Sequence, residues 1–80
     1  MTTILDCIGN TPLLHLDKIW IKAEYLNPSG SVKDRIAKYI VEKAEQTGKL
    51  KKEYTIVEAS TGNTGAAFSL VGAVKGYKVI

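Results

Sequence analysis

The amino-acid sequence predicts an α/β chain with a parallel sheet, because its elements read strand–helix–strand–helix–strand. Three observations carry this. Val32, Ile36, Ile40 and Ala44 recur every four residues, with Ala37 and Val41 beside them, which makes one apolar helical stripe. The β-branched run Thr55-Ile56-Val57 reads as a strand. Residues 65–75 are apolar on every side except for Ser69 and the final Lys75, the pattern of a buried helix.

Taken in chain order, residues 11–16 form a short extended segment that Asp17-Lys18 can turn. Residues 19–25 alternate, with Ile19, Ile21, Ala23 and Tyr25 on one face and Trp20, Lys22 and Glu24 on the other. That is the pattern of a half-buried strand, the first of the parallel set. Asn27-Pro28-Ser29-Gly30 is turn chemistry. Ser31 is placed to cap the following helix, and Asp34 stands three residues on, in capping-box spacing. Gly48 stops that helix. Residues 54–59 form the second strand, a polar glycine loop follows, Gly76 ends the second helix, and residues 77–80 open a third strand.

Eighty residues make one small domain, able to hide only about 60% of its unfolded surface. With 45% hydrophobic and 24% charged residues, neither a disordered nor a membrane class fits. The formal net charge is +3, and the densest basic cluster, Lys49, Lys51 and Lys52, sits at a helix end where cations are at home. No nucleic-acid partner is therefore expected. The single cysteine, Cys7, excludes an internal disulfide and suits a reducing compartment; it is expected to be a small packed residue. The N-terminus lacks the basic and apolar regions of a secretory signal, and residues 65–74 reach about half a bilayer span, so a cytoplasmic chain with no membrane contact is expected.

Two segments carry chemistry. In Asn27-Pro28-Ser29-Gly30-Ser31-Val32-Lys33-Asp34-Arg35, a cap at Ser31 puts Lys33 in the first turn of a helix. The partial positive charge there disfavours an ammonium group, and a neutral amine is what Schiff-base chemistry needs. The same position also suits an ordinary solvated lysine. In Ser60-Thr61-Gly62-Asn63-Thr64-Gly65, backbone amides and hydroxyls converge where a helix begins, which suits either a small anion or a simple helix cap. The loop lacks the glycine spacing of a dinucleotide site and the lysine of a nucleotide P-loop. A third segment, Ile8-Gly9-Asn10-Thr11-Pro12-Leu13, is by itself only a turn before a strand.

Together, in this order and spacing, the three segments resemble the N-terminal part of the cysteine synthase (O-acetylserine sulfhydrylase) and cystathionine β-synthase family, which has the type II fold of pyridoxal 5′-phosphate (PLP) enzymes. The resemblance runs from Ile8 to the end of the chain and includes Gly76-Tyr77-Lys78-Val79-Ile80. It implies that the chain is a βαβαβ portion of that parallel-sheet fold. It implies that Lys33 binds PLP covalently and then acts as general base, and that Asn63 hydrogen-bonds the cofactor's ring oxygen. It also implies that Ser60, Thr61, Gly62, Asn63 and Thr64 hold the substrate α-carboxylate. The implied reaction is β-replacement on an activated serine, such as O-acetylserine, by sulfide or a thiol.

The family's glycine-rich phosphate cup and the residue facing the pyridine nitrogen do not occur among these residues. The connection around Asp17-Lys18 is also shorter than is usual in the family. Residues 1–80 therefore read as the N-terminal part of a β-replacement domain, in truncated or split form and inactive alone. The expected partners are a small amino-acid substrate and either further copies in a homo-oligomer or a partner chain completing the sheet. A non-catalytic fragment acting through such a partner, threonine synthase and a serine/threonine dehydratase are the alternatives. His15 reads as a strand-surface residue, Trp20 as core or interface, Asp34 and Arg35 as capping and surface pairing, and Glu58 carries no assigned role.

Overall fold

The computed structural model describes residues 3–60 and 62–80. Six regular elements follow one another: β1 (Leu13–Leu16), β2 (Ile19–Lys22), α1 (Lys33–Gln46), β3 (Thr55–Ile56), α2 (Asn63–Lys75) and β4 (Lys78–Val79). Short 3-10 turns precede β1 at Ile4–Cys7 and follow β2 at Glu24–Leu26.

The second half keeps the predicted order of strand, helix and strand, but the strands are two residues each, Thr55–Ile56 and Lys78–Val79, instead of 54–59 and 77–80. Strands β3 and β4 pair in parallel, Thr55 with Lys78 and Ile56 with Val79, and α2 makes the crossover between them. Hydrogen bonds from Glu58 N to Ile80 O (3.1 Å) and from Ile80 N to Ile56 O (2.9 Å) carry the pairing beyond the strand limits. Gly76, at φ 86°, takes the left-handed conformation that ends α2.

The first half departs from the prediction. Residues 19–25 do not join the parallel sheet: β2 pairs antiparallel with β1 in a separate hairpin, Leu13 facing Lys22 and Leu16 facing Ile19. The cause is the connection. Two residues, Asp17 (φ 53°) and Lys18, link the strands, and parallel strands need a far longer crossover. Strand β2 stops at Lys22: Ala23 N still donates to Pro12 O (2.9 Å) in the hairpin register, but Pro12 has no N–H to return, and the next residues tighten into a turn. The hairpin is not half-buried: only Ile21 is partly covered, and Trp20 stays exposed with its ring stacked on His15 at 4.3 Å.

Helix α1 buries only one edge of the expected stripe. Ala37 and Val41 are buried, whereas Ile36 and Ile40 are 43% and 48% exposed. Small side chains at 37 and 41 let α2 come close, where Ala67 and Val71 are equally small and fully buried. Helix α2 starts at Asn63 rather than Gly65, and it is not covered all round: Ala67, Phe68, Val71 and Gly72 face inward while Ala66, Ser69, Ala73 and Val74 are exposed.

Leu5 and Ile8, from the segment around the first 3-10 turn, complete the core with Phe68 and Tyr77, and Leu50 and Ile56 pack against it. A reciprocal cap holds that turn, with Leu5 N donating to Thr3 Oγ1 and Thr3 N to the Asp6 carboxylate (2.8 Å). Cys7, on the outer side of the turn, is exposed and not packed. Among the described residues no helix is long and apolar enough to cross a membrane.

A polar staple joins the C-terminal ends of both helices to β4. Lys75 Nζ lies 2.9 Å from Glu45 Oε1 and 3.5 Å from Glu42, and the Tyr77 hydroxyl donates to Glu45 Oε2 at 2.6 Å. Lys52 stands over the Tyr77 ring at 4.8 Å. The hydrogen bond to the Glu45 carboxylate, helped by burial, pushes the Tyr77 hydroxyl up to about 12 from its ordinary value of 10.0. Stability from a raised acid is complete below its unfolded pKa and is lost as pH climbs through the folded one. The advantage of this chain over Tyr77→Phe is therefore expected to be constant from neutral pH to about 9 and to shrink between about 10 and 12. Urea midpoints for the two proteins across that range measure it, and a difference independent of pH contradicts it.

Candidate active site at the helix N-termini

The segment leading into α1 is tightly specified. Asn27 is buried, and its carbonyl accepts from Gly30 N at 2.8 Å. Gly30, at φ 98°, adopts a backbone conformation that side-chain-bearing residues avoid. This turn folds Ser29 back onto the helix start. There the fully buried Asp34 carboxylate accepts both the Ser29 amide (2.8 Å) and the Ser29 hydroxyl. Asp34 therefore does not close a capping box with Ser31. Nor is Ser31 the cap residue: α1 is capped at Val32, which makes no side-chain cap bond, and Ser31 Oγ accepts from Lys33 N at 3.2 Å. Lys33 is the first residue of α1 and half-buried. Among the described residues its amine has no hydrogen-bond or ion-pair partner.

Arg35 and Glu24 form a cluster that sequence reasoning had reduced to surface pairing. Arg35 meets Glu24 through two bonds, Nε to Oε1 (2.8 Å) and Nη2 to Oε2 (3.0 Å). Its Nη2 also donates to Gly9 O (2.9 Å) and, more weakly, to Thr11 Oγ1 (3.3 Å). Thr11 and Asn27 donate to the same carboxylate at 2.7 and 2.9 Å. The Arg35 hydrogen bond, then that of Thr11, holds the Glu24 carboxyl at about 2, well below its ordinary 4.5. The turn at residues 8–13 thus has a physical reason to accompany the lysine segment: Gly9 and Thr11 are partners of Arg35 and Asn27. Arg35 and Asp34 stood in the lysine segment itself, which was the available signal.

At the start of α2, Gly62 N and Gly65 N both donate to Ser60 Oγ at 3.2 Å. The two amides therefore converge on the Ser60 hydroxyl, which accepts from them and does not join them as a donor. Asn63 is exposed and Thr64 half-buried; Thr61 lies outside the described residues. A Cβ at Gly65 would lie 3.2 Å from Ser60 O, so the loop closes tightly there. Ser60→Ala is expected to destabilise the chain by about 1 kcal/mol through loss of these two hydrogen bonds. A urea denaturation curve checks it, and an unchanged midpoint contradicts it.

The Glu45–Lys75 pair ties the C-terminal ends of α1 and α2 together, and Ala37, Val41, Ala67 and Val71 keep the helices side by side. Lys33 begins one helix and Asn63 the other, each at the end away from that pair. Lys33 makes no direct hydrogen bond to Ser60, Gly62, Asn63 or Thr64. Two open concavities, of about 280 and 260 Å³, run along the outer flank of α1 and include neither Lys33 nor the loop. Among the described residues no cluster of His, Cys, Asp or Glu can hold a metal ion.

Comparison with known proteins gives this arrangement its context. The pyridoxal-phosphate dependent enzyme family matches residues 4–80. The chain belongs to that family. It is 51% identical over 83 residues to a cysteine synthase of Flavobacterium, covering 95% of this chain and 27% of the relative. To the cystathionine beta-synthase of Saccharomyces cerevisiae it is 44% identical, covering 96% of this chain and 17% of the relative. Its fold superposes on a hydrogen sulfide-producing enzyme from Fusobacterium nucleatum with a TM-score of 0.92 and 41% identity, over 99% of this chain and 28% of that one. The chain thus spans under a third of the length of these relatives. PLP is the cofactor of the family, and the side chains present fit part of it. The Lys33 amine suits its aldehyde and the exposed Asn63 amide can donate to a ring oxygen.

Proposed function

We propose that this member of the PLP-dependent family carries the cofactor lysine and the carboxylate-binding loop of a β-replacement enzyme of the cysteine synthase kind. The substrate is a small amino acid with an activated β-oxygen, such as O-acetylserine, and the acceptor is sulfide or a thiol. The observation that carries the proposal is the Lys33 amine, without a partner among the described residues, at a helix N-terminus on a segment pinned by Asp34 and Asn27. PLP, when bound, supplies the electron sink for chemistry at the substrate α-carbon. Lys33 Nζ would hold the cofactor and, as a free amine, would take the substrate α-proton as general base. Asn63 would donate to the cofactor's ring oxygen. Ser60, Thr61, Gly62, Asn63 and Thr64 bind the α-carboxylate, whose oxygens replace the Ser60 hydroxyl at the amides of Gly62 and Gly65. The reading places this chemistry in the cytoplasm.

The test is a peptide map after incubation with PLP and reduction with borohydride. The label is expected on Lys33 ahead of the other lysines; a label confined to exposed residues such as Lys49 or Lys51 contradicts the assignment. Leu13, Leu16, Ile19 and Trp20 are 57–63% exposed on the hairpin, which supports association with a second copy or with a partner chain. Sedimentation of the purified chain above its 8.7 kDa monomer mass is the expected result, and a stable monomer speaks against self-association.

A further inference from the structure

We infer that the Glu24–Arg35 pair is a positioning device: it sets the rotation of the first turn of α1, and with it where the Lys33 amine stands. The catalytic meaning of this inference rests on the proposed role of Lys33; the geometry does not. Residues two apart on a helix point about 200° from each other, so Arg35 and Lys33 leave α1 on opposite sides. The Arg35 guanidinium is held in its plane by two bonds to Glu24 and one to Gly9 O. With that plane fixed, the first turn cannot rotate, and Lys33 is directed the other way.

Both ends of the lysine segment close on one carboxylate. Glu24 Oε1 accepts Asn27 Nδ2 from the start of the segment and Arg35 Nε from its end. Asn27 Oδ1 in turn accepts from Gly9 N at 2.9 Å. Gly9 is itself part of the device. It sits at φ 90°, and a Cβ there would lie 3.0 Å from Arg35 Nη1. The Arg35 side chain is 40% exposed and that of Glu24 22%, and a two-pronged pair with this many further bonds fixes the plane of the guanidinium as well as its place.

The experiment compares the unaltered chain with Arg35→Met, Arg35→Lys and Glu24→Gln. Glu45→Gln serves as a control that loosens the opposite pole. Two quantities are read: amide hydrogen exchange at Gly30 and Lys33, and the ratio of Lys33 to Lys49 label after PLP and borohydride. Arg35→Met is expected to speed exchange at both amides and lower the label ratio by about tenfold, since small misplacements of a reacting group are costly. Arg35→Lys keeps the charge without the planar fork and is expected to fall between. Glu45→Gln is expected to lower the thermal midpoint and leave both quantities unchanged. Should Arg35→Met fail to fold, Arg35→Lys and Glu24→Gln decide by the same two readings. Unchanged exchange and an unchanged ratio in the folded variants overturn the inference while the role of Lys33 stands. If Lys33 is unlabelled even in the unaltered chain, the functional reading falls, and faster exchange in Arg35→Met still upholds the positioning.

Discussion

Lys33→Ala is expected to abolish the borohydride-stable label at the start of α1 and leave the fold intact. The two halves of this expectation rest on different observations. The amine has no hydrogen-bond or ion-pair partner among the described residues, so its removal strands no buried group. The backbone N–H of residue 33, which does donate to Ser31 Oγ, survives the substitution. Alanine is the strongest helix former, so the first turn of α1 loses nothing in propensity. The change in stability is therefore expected to stay within about 0.5 kcal/mol, as for other surface positions. The chemical effect is total, because among the described residues no other lysine stands at an α-helix start on a pinned segment. The lysines at 38, 43 and 75 lie within or at the end of helices, and those at 49, 51 and 52 lie in a connection. Far-ultraviolet circular dichroism, the urea midpoint and the visible spectrum with added PLP read all of this on one sample. A retained cofactor spectrum, with label at a different lysine, overturns the assignment.

The sequence shows the parallel crossover and conceals the hairpin, and the difference is physical. Residues 55–57 are β-branched, the loop after them is polar, and Gly76 closes the helix; each local preference agrees with the structure. Residues 19–25 alternate as any half-buried strand would, and alternation is silent about direction. Direction is set by the length of the link, and Asp17-Lys18 is too short for anything but an antiparallel return. The capping box at Ser31 and Asp34 misleads for a related reason. The spacing is right, but Gly30 turns Ser29 inward, and Ser29 offers Asp34 two donors at once. Arg35 and Glu24 are eleven residues apart, beyond any local rule, and only the fold brings them together. The place of Lys33 at the start of α1 and of the polar loop ahead of α2 is legible in the sequence, because helix starts are marked by nearby residues.

Gly72→Val is expected to cost most of the stability of the chain. A glycine inside a helix ordinarily weakens it, by about 1 kcal/mol against alanine, so from propensity alone any substitution here looks favourable. Packing reverses the sign. An ideal Cβ at residue 72 would lie 2.3 Å from Val79 Cγ2, with Ile56 Cδ1 at 3.7 Å and Tyr77 O at 3.8 Å. Carbon contacts relax near 3.5–4.0 Å, so α2 and β4 must separate by about 1 Å or more, or Val79 must leave its rotamer. Val79 is β-branched and stiff at χ1, which makes the second escape costly. Overpacking of this kind costs about 1–3 kcal/mol for one added carbon, and valine adds two more. A chain of 80 residues has roughly 4–12 kcal/mol in all. The α2–β4 contact also anchors Val71 and Tyr77 in the core, and the same helix carries Asn63 at its far end. Gly72→Ala is expected to be milder, losing about 1–2 kcal/mol once its helix propensity offsets part of the clash. Adding Val79→Ala to Gly72→Ala removes the atom that the new Cβ meets, so the pair is expected to cost less than the sum of the two single changes. Urea midpoints of the original chain, Gly72→Val, Gly72→Ala, Val79→Ala and the double variant decide it. A Gly72→Val chain as stable as the original, or a strictly additive double variant, shows that α2 does not owe its seat on β4 to the missing side chain.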